Sequence, residues 1–201
     1  MNALIILDVQ NDFMPGGSLP VEEGDLIIPV INKLLPQFDL IVATQDWHPP
    51  NHRSFASNYE DKQPFEKIML HGVMQTLWPD HCVQGTAGAA FHFDLETRPI
   101  EAIFRKGTNP EIDNYSGFYD NSHQKSTGLA GFLREKKVAT LYFCGLCADI
   151  CVYFTIKDAL REGFDCVLIE DATRPLNKVA FQEIKKELIQ QSVKIVMSNE
   201  L

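Results

Sequence analysis

Much of what would direct a chain of 201 residues to a nucleic acid, a membrane or an oxidising compartment is missing here. There is no basic excess. Eighteen Lys and Arg stand against 27 Asp and Glu, a formal net charge of −9, whereas polyanions and anionic bilayers call for a cationic face. No stretch approaches the roughly 18–20 apolar residues of a membrane span. The opening segment MNALIILDVQ has no basic residue and is interrupted by Asp8, so it does not read as a signal peptide. No repeat, low-complexity tract or linker divides the sequence, and one domain over 1–201 is the expectation. The five cysteines (Cys82, Cys144, Cys147, Cys151 and Cys166) are too few and too odd in number for a disulfide framework. With no signal segment they fit free thiols in the cytoplasm, in a monomer or small homo-oligomer without nucleic-acid or membrane partners.

What is present is an alternation of apolar runs and helical patterns. Runs rich in Ile, Val and Phe occur at Ala3–Val9, Leu40–Thr44, Ile100–Arg105, Ala139–Cys144, Cys166–Ile169 and Val193–Met197. None alternates cleanly between apolar and polar, the mark of strands buried on both faces. Helical patterns fall at Leu26–Leu35, Ser126–Lys136, Asp149–Glu162 (with Gly163 placed to end it) and Lys178–Gln190. The order predicts an α/β fold with a six-stranded, mostly parallel sheet and helices on both faces. From Asp46 to Pro99 there is little periodicity but much Pro, His, Asn and Gly, and loops of that length inside a compact domain are usually functional.

Ligands of parallel sheets sit beyond the carboxyl ends of the strands. The first run ends in Asp8, the second in Gln45 and Asp46, the third in Arg105 and Lys106, and the fourth leads through Gly145 to Cys147 and Cys151. A carboxylate, an ammonium and a thiol therefore converge on one sheet edge. Cys151 falls in the first turn of the Asp149–Glu162 pattern, where the helix dipole favours a thiolate. Asp8 can take the thiol proton and return it to a leaving amine, and Lys106 favours the ionised form of both. The tight turn Gly145–Ala148 can aim backbone N–H groups at an oxyanion. Singly, each is more often a cap, a solvated cation or a small packing residue; their convergence is what carries the reading.

A second constellation is Asp46, His48 and His52 in DWHPPNH, with His81 in WPDHC. One carboxylate and two or three imidazoles suit Zn²⁺, Fe²⁺ or Mn²⁺ with open positions; the alternative is histidines that pin a Pro-rich loop by hydrogen bonds. Cys82 is a weaker candidate ligand, and His71, His92 and His123 read as structural or exposed. Phe13, Trp78 and Tyr115 lie in loops near these clusters and can wall a flat pocket for a planar ring.

These segments together resemble the nicotinamidases of the isochorismatase-like cysteine hydrolase superfamily. The resemblance rests on DVQNDF at Asp8–Phe13 with GGSL at Gly16–Leu19, DWHPPNHRSF at Asp46–Phe55, and WPDHCVQGT at Trp78–Thr86. FRKG at Phe104–Gly107, YSGF at Tyr115–Phe118 and GLCADICV at Gly145–Val152 complete it. It implies a Rossmann-like fold and hydrolysis of nicotinamide to nicotinate and ammonia through a cysteine thioester, with pyrazinamide also accepted. It further implies Asp8, Lys106 and Cys151 as the catalytic triad, with backbone N–H groups of Cys147 and Cys151 as oxyanion hole, next to a cis peptide at Leu146–Cys147. Asp46, His48 and His81 would hold a divalent metal, zinc first and iron or manganese as alternatives. His52 matches a position that ligates in some members. Phe13, Trp78 and Tyr115 would wall the nicotinamide pocket. One departure stands out: Cys147-Ala148 replaces the usual Ala-Thr, which leaves open whether Cys147 only packs or perturbs the site.

Overall fold

In the computed structural model, which describes residues 1–201, each of the six apolar runs forms a strand. In chain order the strands are β1 (Asn2–Leu7), β2 (Leu40–Asp46), β3 (Lys67–Leu70), β4 (Val73–Thr76), β5 (Ala102–Lys106), β6 (Thr140–Leu146), β7 (Asp165–Arg174) and β8 (Lys194–Val196). Six make one sheet in the order β5-β2-β1-β6-β7-β8, with every neighbouring pair parallel. The remaining two, β3 and β4, form an antiparallel hairpin that the sequence reading did not anticipate. The chain winds outward from β1 to β2 and β5, then restarts at β6 on the other side of β1. Strand order thus reverses between β1 and β6, where an open parallel sheet leaves its ligand crevice.

Four α-helices cover the sheet: α1 (Ile28–Leu34), α2 (Leu129–Glu135), α3 (Tyr153–Arg161) and α4 (Lys178–Gln190). Strand β1 explains why the runs did not alternate. Leu4 and Ile6 point into one apolar core with Ile28, Ile31 and Leu34 of α1. Ala3, Ile5 and Leu7 point into another with Leu129 and Leu133 of α2, Ile156 of α3 and Leu188 of α4. All five β1 side chains are fully buried, and removing each large one from water contributes about 1.5–3 kcal/mol. Helix α4 begins as expected, its N-cap Asn177 side chain accepting the N–H groups of Val179 and Ala180 at 3.0 Å each. Helix α1 is shorter than its pattern, because single 3₁₀ turns at Gly24–Ile27 and Leu35–Gln37 take both ends. No helix is long and apolar enough to cross a membrane.

Candidate active site

The ends of β1, β5 and β6 meet as expected. Asp8 directly follows β1, Lys106 closes β5, and Cys151 lies in a π-helical turn (Ala148–Val152) that joins β6 to α3. Such turns recur at functional sites because they push one side chain out of the regular helical ladder. β6 reaches this point by passing very close to β1: a Cβ on Gly145 would stand 2.0 Å from the Leu7 carbonyl oxygen, so only glycine fits. The Leu146–Cys147 peptide is cis.

The three reactive groups touch. Lys106 Nζ lies 2.8 Å from Asp8 Oδ2 and 3.5 Å from Cys151 Sγ, and it also contacts Asp46 Oδ1. Lys106 Nζ pairs with Asp8 Oδ2 and leaves that oxygen a further lone pair that can take a proton. Thr44 Oγ1 donates to the other oxygen, Oδ1, at 2.7 Å. All of these groups are withdrawn from water. Burial raises the Asp8 carboxyl, Lys106 draws it back, Asp46 adds repulsion, and the balance lies above the ordinary carboxylate value. Burial also lifts the Cys151 thiol well above its usual value against the pull of Lys106. Burial would discharge Lys106, but Asp46 and Asp8 hold it well above its usual value. The resting arrangement is a neutral thiol beside a carboxyl suited to accept its proton, with a cation that stays charged throughout.

Asp46, His48 and His81 form the second cluster, with one donor atom from each within 4.8 Å of the others and all three residues buried. Gln10 sets the first of them: its side chain donates to the Asp46 carbonyl and accepts the Asp46 N–H, both at 2.8 Å. Asp46 turns Oδ1 to Lys106 and Oδ2 toward His81 Nε2, 3.9 Å away. That gap is just under twice a metal–ligand bond of about 2.1 Å. His81 is neutral, its ring lowered to about 4 by burial and then by His48. Its Nδ1 contacts the Pro79 carbonyl oxygen at 2.7 Å, so Nδ1 carries the proton and the Nε2 lone pair is free. His48 Nε2 faces Asp113 Oδ1 at 3.2 Å, and its Nδ1 is buried with no partner. Two free imidazole lone pairs and one carboxylate oxygen in a dry cluster fit a divalent ion. A Cβ on Gly107 would stand 2.5 Å from His48 Nε2, so this glycine, at φ +69°, makes the room in which the ring sits.

His52 adjoins the cluster, 4.6 Å from the His48 ring centre to centre. Its Nδ1 lies 3.1 Å from the Ser54 backbone N and 2.7 Å from Ser54 Oγ, its Nε2 is buried without a partner, and with His48 and Asp113 it forms a second buried group whose donor atoms lie within 4.8 Å of one another. Cys82 is buried in the apolar core and is in none of the donor clusters. His71 pairs with Glu111, His123 with Asp158, and His92 stacks on Phe93, all away from the site.

Both clusters open onto one small cavity, whose lining includes Cys151, Asp46, His48 and His81. Phe13, Trp78 and Tyr115 line it as well, together with Leu19, Ile150 and Leu176. Phe13 stands 5.5 Å from the His81 ring and Trp78 6.2 Å from Tyr115. Cys147 also faces the cavity, and its N–H makes no hydrogen bond within the chain. The sequence reading missed Gln10, Thr44, Gln75 and Asp113. Gln10 and Thr44 sit inside or beside motifs already singled out; Asp113 lies two residues before Tyr115-Ser116-Gly117-Phe118, an adjacency that could have flagged it.

Comparison with known proteins agrees with this geometry. The isochorismatase domain model matches residues 2–200. A curated nicotinamidase of Acinetobacter baylyi is 45% identical over 200 residues, covering 99% of this chain and 94% of that one. A solved nicotinamidase and pyrazinamidase of Acinetobacter baumanii superposes with a TM-score of 0.96 at 44% identity, over 99% and 97% of the two chains. The pyrazinamidase of Pyrococcus horikoshii, solved in complex with zinc, gives a TM-score of 0.80 at 40% identity over 98% of each. With a thiol, a carboxyl and an ammonium in contact at the reversal point of a parallel sheet, and the family model matching from end to end, the chain belongs to the isochorismatase family.

Proposed function

We propose that this chain hydrolyses nicotinamide to nicotinate and ammonia, with Cys151 as nucleophile, and that it also accepts pyrazinamide. The observation that carries the reading is the contact between Lys106, Asp8 and Cys151 at the floor of an aromatic-walled cavity that also holds a buried His-His-Asp donor set. The planar ring lies among Phe13, Trp78 and Tyr115, with its carboxamide toward Cys151. Asp8 Oδ2 takes the thiol proton as sulfur attacks the carboxamide carbon. The backbone N–H groups of Cys147 and Cys151 receive the developing oxyanion. Asp8 then passes that proton to the departing nitrogen; the C–N bond breaks, ammonia leaves, and the acyl group stays on Cys151 as a thioester. Asp8 next draws a proton from water as it attacks the thioester, and returns it to the sulfur as nicotinate forms. Lys106 keeps its charge in every step and steadies whichever neighbour is anionic.

Asp46, His48 and His81 would hold a divalent metal ion, zinc by preference, and when bound it supplies a Lewis acid for the pyridine ring nitrogen. His52, whose buried Nε2 has no partner and which groups with His48 and Asp113, is the further residue that could join the donor set. Five unpaired cysteines support a cytoplasmic enzyme. The test is Cys151→Ala. Ammonia release from nicotinamide is expected to fall to background while bound metal, measured by elemental analysis, stays at the wild-type level; wild-type turnover in this variant would refute the scheme.

A further inference from the structure

The hairpin of β3 and β4 stands outside the main sheet, and Lys67, Met69 and Met74 on it are exposed. Gln75 is its one fully buried residue, at 2% exposure. A polar side chain serving as the inward anchor of a hairpin needs partners, since an unpaired buried amide costs about 1–3 kcal/mol. Gln75 Nε2 lies 3.2 Å from Asp113 Oδ2, 3.0 Å from the Tyr115 hydroxyl and 2.7 Å from the Thr76 carbonyl oxygen. One amide therefore joins two parts of the site. Through Asp113, whose other oxygen faces His48 Nε2 at 3.2 Å, it reaches the donor set; through Tyr115 it reaches the aromatic wall.

Asp113 is itself held fast. Its Oδ1 accepts the Asn114 N–H and its carbonyl accepts the Asn121 N–H, both at 2.8 Å. The carboxylate thus has fixed donors on each oxygen, and the His48 ring is oriented against a rigid acceptor. A carboxylate that takes one ring N–H of a histidine fixes the tautomer and leaves the other nitrogen as the ligand. The Nδ1 of His48, buried and without a partner, is that other nitrogen.

We propose that Gln75 and Asp113 form a positioning pair that sets His48 as a metal ligand and Tyr115 as a substrate wall at once, so that docking of the hairpin assembles both halves of the site. The proposal rests on the functional reading above for the roles of His48 and Tyr115. Its consequence is coupling: a change at the hairpin moves metal affinity and substrate affinity together, although Gln75 lines neither the donor set nor the cavity.

The experiment measures zinc affinity of metal-free protein by competition with a chromogenic chelator, alongside kcat and KM for ammonia release. Asp113→Asn is expected to weaken zinc about 10- to 100-fold. Gln75→Leu, which keeps the volume and removes the amide, is expected to weaken zinc about tenfold and to raise KM. Tyr115→Phe should raise KM with zinc affinity unchanged. In the double variant Gln75→Leu/Asp113→Asn, zinc loss should be no greater than in Asp113→Asn alone, because Gln75 acts through that carboxylate. Should Gln75→Leu fail to fold by circular dichroism, Gln75→Asn, with its amide drawn back by one methylene, is read in the same way. Zinc affinity within twofold of wild type in the Gln75 variant, with or without a lower Tm, would overturn the pair. So would zinc losses that multiply in the double variant. If wild-type protein binds zinc but releases no ammonia from nicotinamide, the function fails, while the zinc comparison still decides the role of the pair.

Discussion

Replacing Lys106 by Met shortens the side chain by one atom and removes the one cation among Asp8, Asp46 and Cys151. The wild-type pocket holds a lysine between two carboxylates at full burial; the variant leaves two carboxylates facing each other in a dry site. Such a pair does not stay doubly ionised, and one carboxyl takes up a proton. For a carboxyl with an unfolded-state value near 3.9, holding that proton at pH 7 costs about 4 kcal/mol, and at pH 5 about 1.5 kcal/mol. The first figure agrees with the roughly 3–5 kcal/mol found when one partner of a buried ion pair is removed. The sign is that of a carboxyl raised on folding: stability is intact below the unfolded value and is lost as pH rises toward the folded one. At about 2–4 °C per kcal/mol for a chain of this length, metal-free Lys106→Met should melt roughly 8–16 °C below wild type at pH 7 but only about 3–6 °C below at pH 5. Activity should fall by about 10²–10⁴, the usual worth of a general base, because the proton taken up by the pair disables Asp8. Thermal unfolding at the two pH values and an ammonia-release assay read both effects. A variant melting within 2 °C of wild type at pH 7, or a gap that widens toward pH 5, would refute the reasoning.

Three further outcomes follow from contacts described above. Gly107→Ala places a methyl 2.5 Å from His48 Nε2 on a backbone at φ +69°, so zinc binding and turnover should both drop at least about tenfold; unchanged zinc affinity would contradict the packing. Asn177→Ala removes the α4 cap, worth about 1 kcal/mol, and should lower Tm by about 2–4 °C with kcat/KM untouched, a separation checked by calorimetry beside kinetics. Cys166 is pushed up to about 12 by burial, which leaves a thiolate fraction of about 10⁻⁴ at pH 8. Alkylation of native protein at pH 8 followed by peptide mapping should therefore leave Cys166 unmodified until the chain is unfolded; labelling of Cys166 in native protein as fast as in the unfolded chain would count against the burial described.

The parts legible in the sequence share one property: they are written in runs. β1, β2, β5, β6, β7 and β8 could be found because both faces of each middle strand meet apolar cores, so Leu4 and Ile6 are as hydrophobic as Ile5 and Leu7. Asp8, Lys106 and Cys151 could be found because each interrupts or follows such a run. β7 continues to Arg174, well past the expected Ile169, because its second half pairs with β6 beyond a register shift at Phe143/Gly145, and Glu170-Asp171 carries no apolar signal of that pairing. The β3–β4 hairpin was illegible for a related reason. Its strands have four residues each and one buried side chain between them, and its signal was the dipeptide His71-Gly72, with φ of +48° and +80°.

The histidines show where pattern stops and geometry begins. His48 and His52 stand four residues apart in one loop, with rings 4.6 Å apart, and nothing in the residue types tells their surroundings apart. The difference lies in which atom meets each Nδ1 or Nε2. At His52 it is Ser54, two residues along the same loop, that meets Nδ1 through its backbone N–H and its hydroxyl. At His48 a carboxylate meets Nε2; an ionised carboxylate can only accept, so the proton goes to Nε2 and Nδ1 is left bare. His48 is thereby tied through Nε2 to a carboxylate and His52 through Nδ1 to its own loop, and the opposite nitrogen of each is buried without a partner. The deciding carboxylate is Asp113, 65 residues further along the chain and brought there by a loop without periodicity, so no local reading of DWHPPNH could have made the distinction.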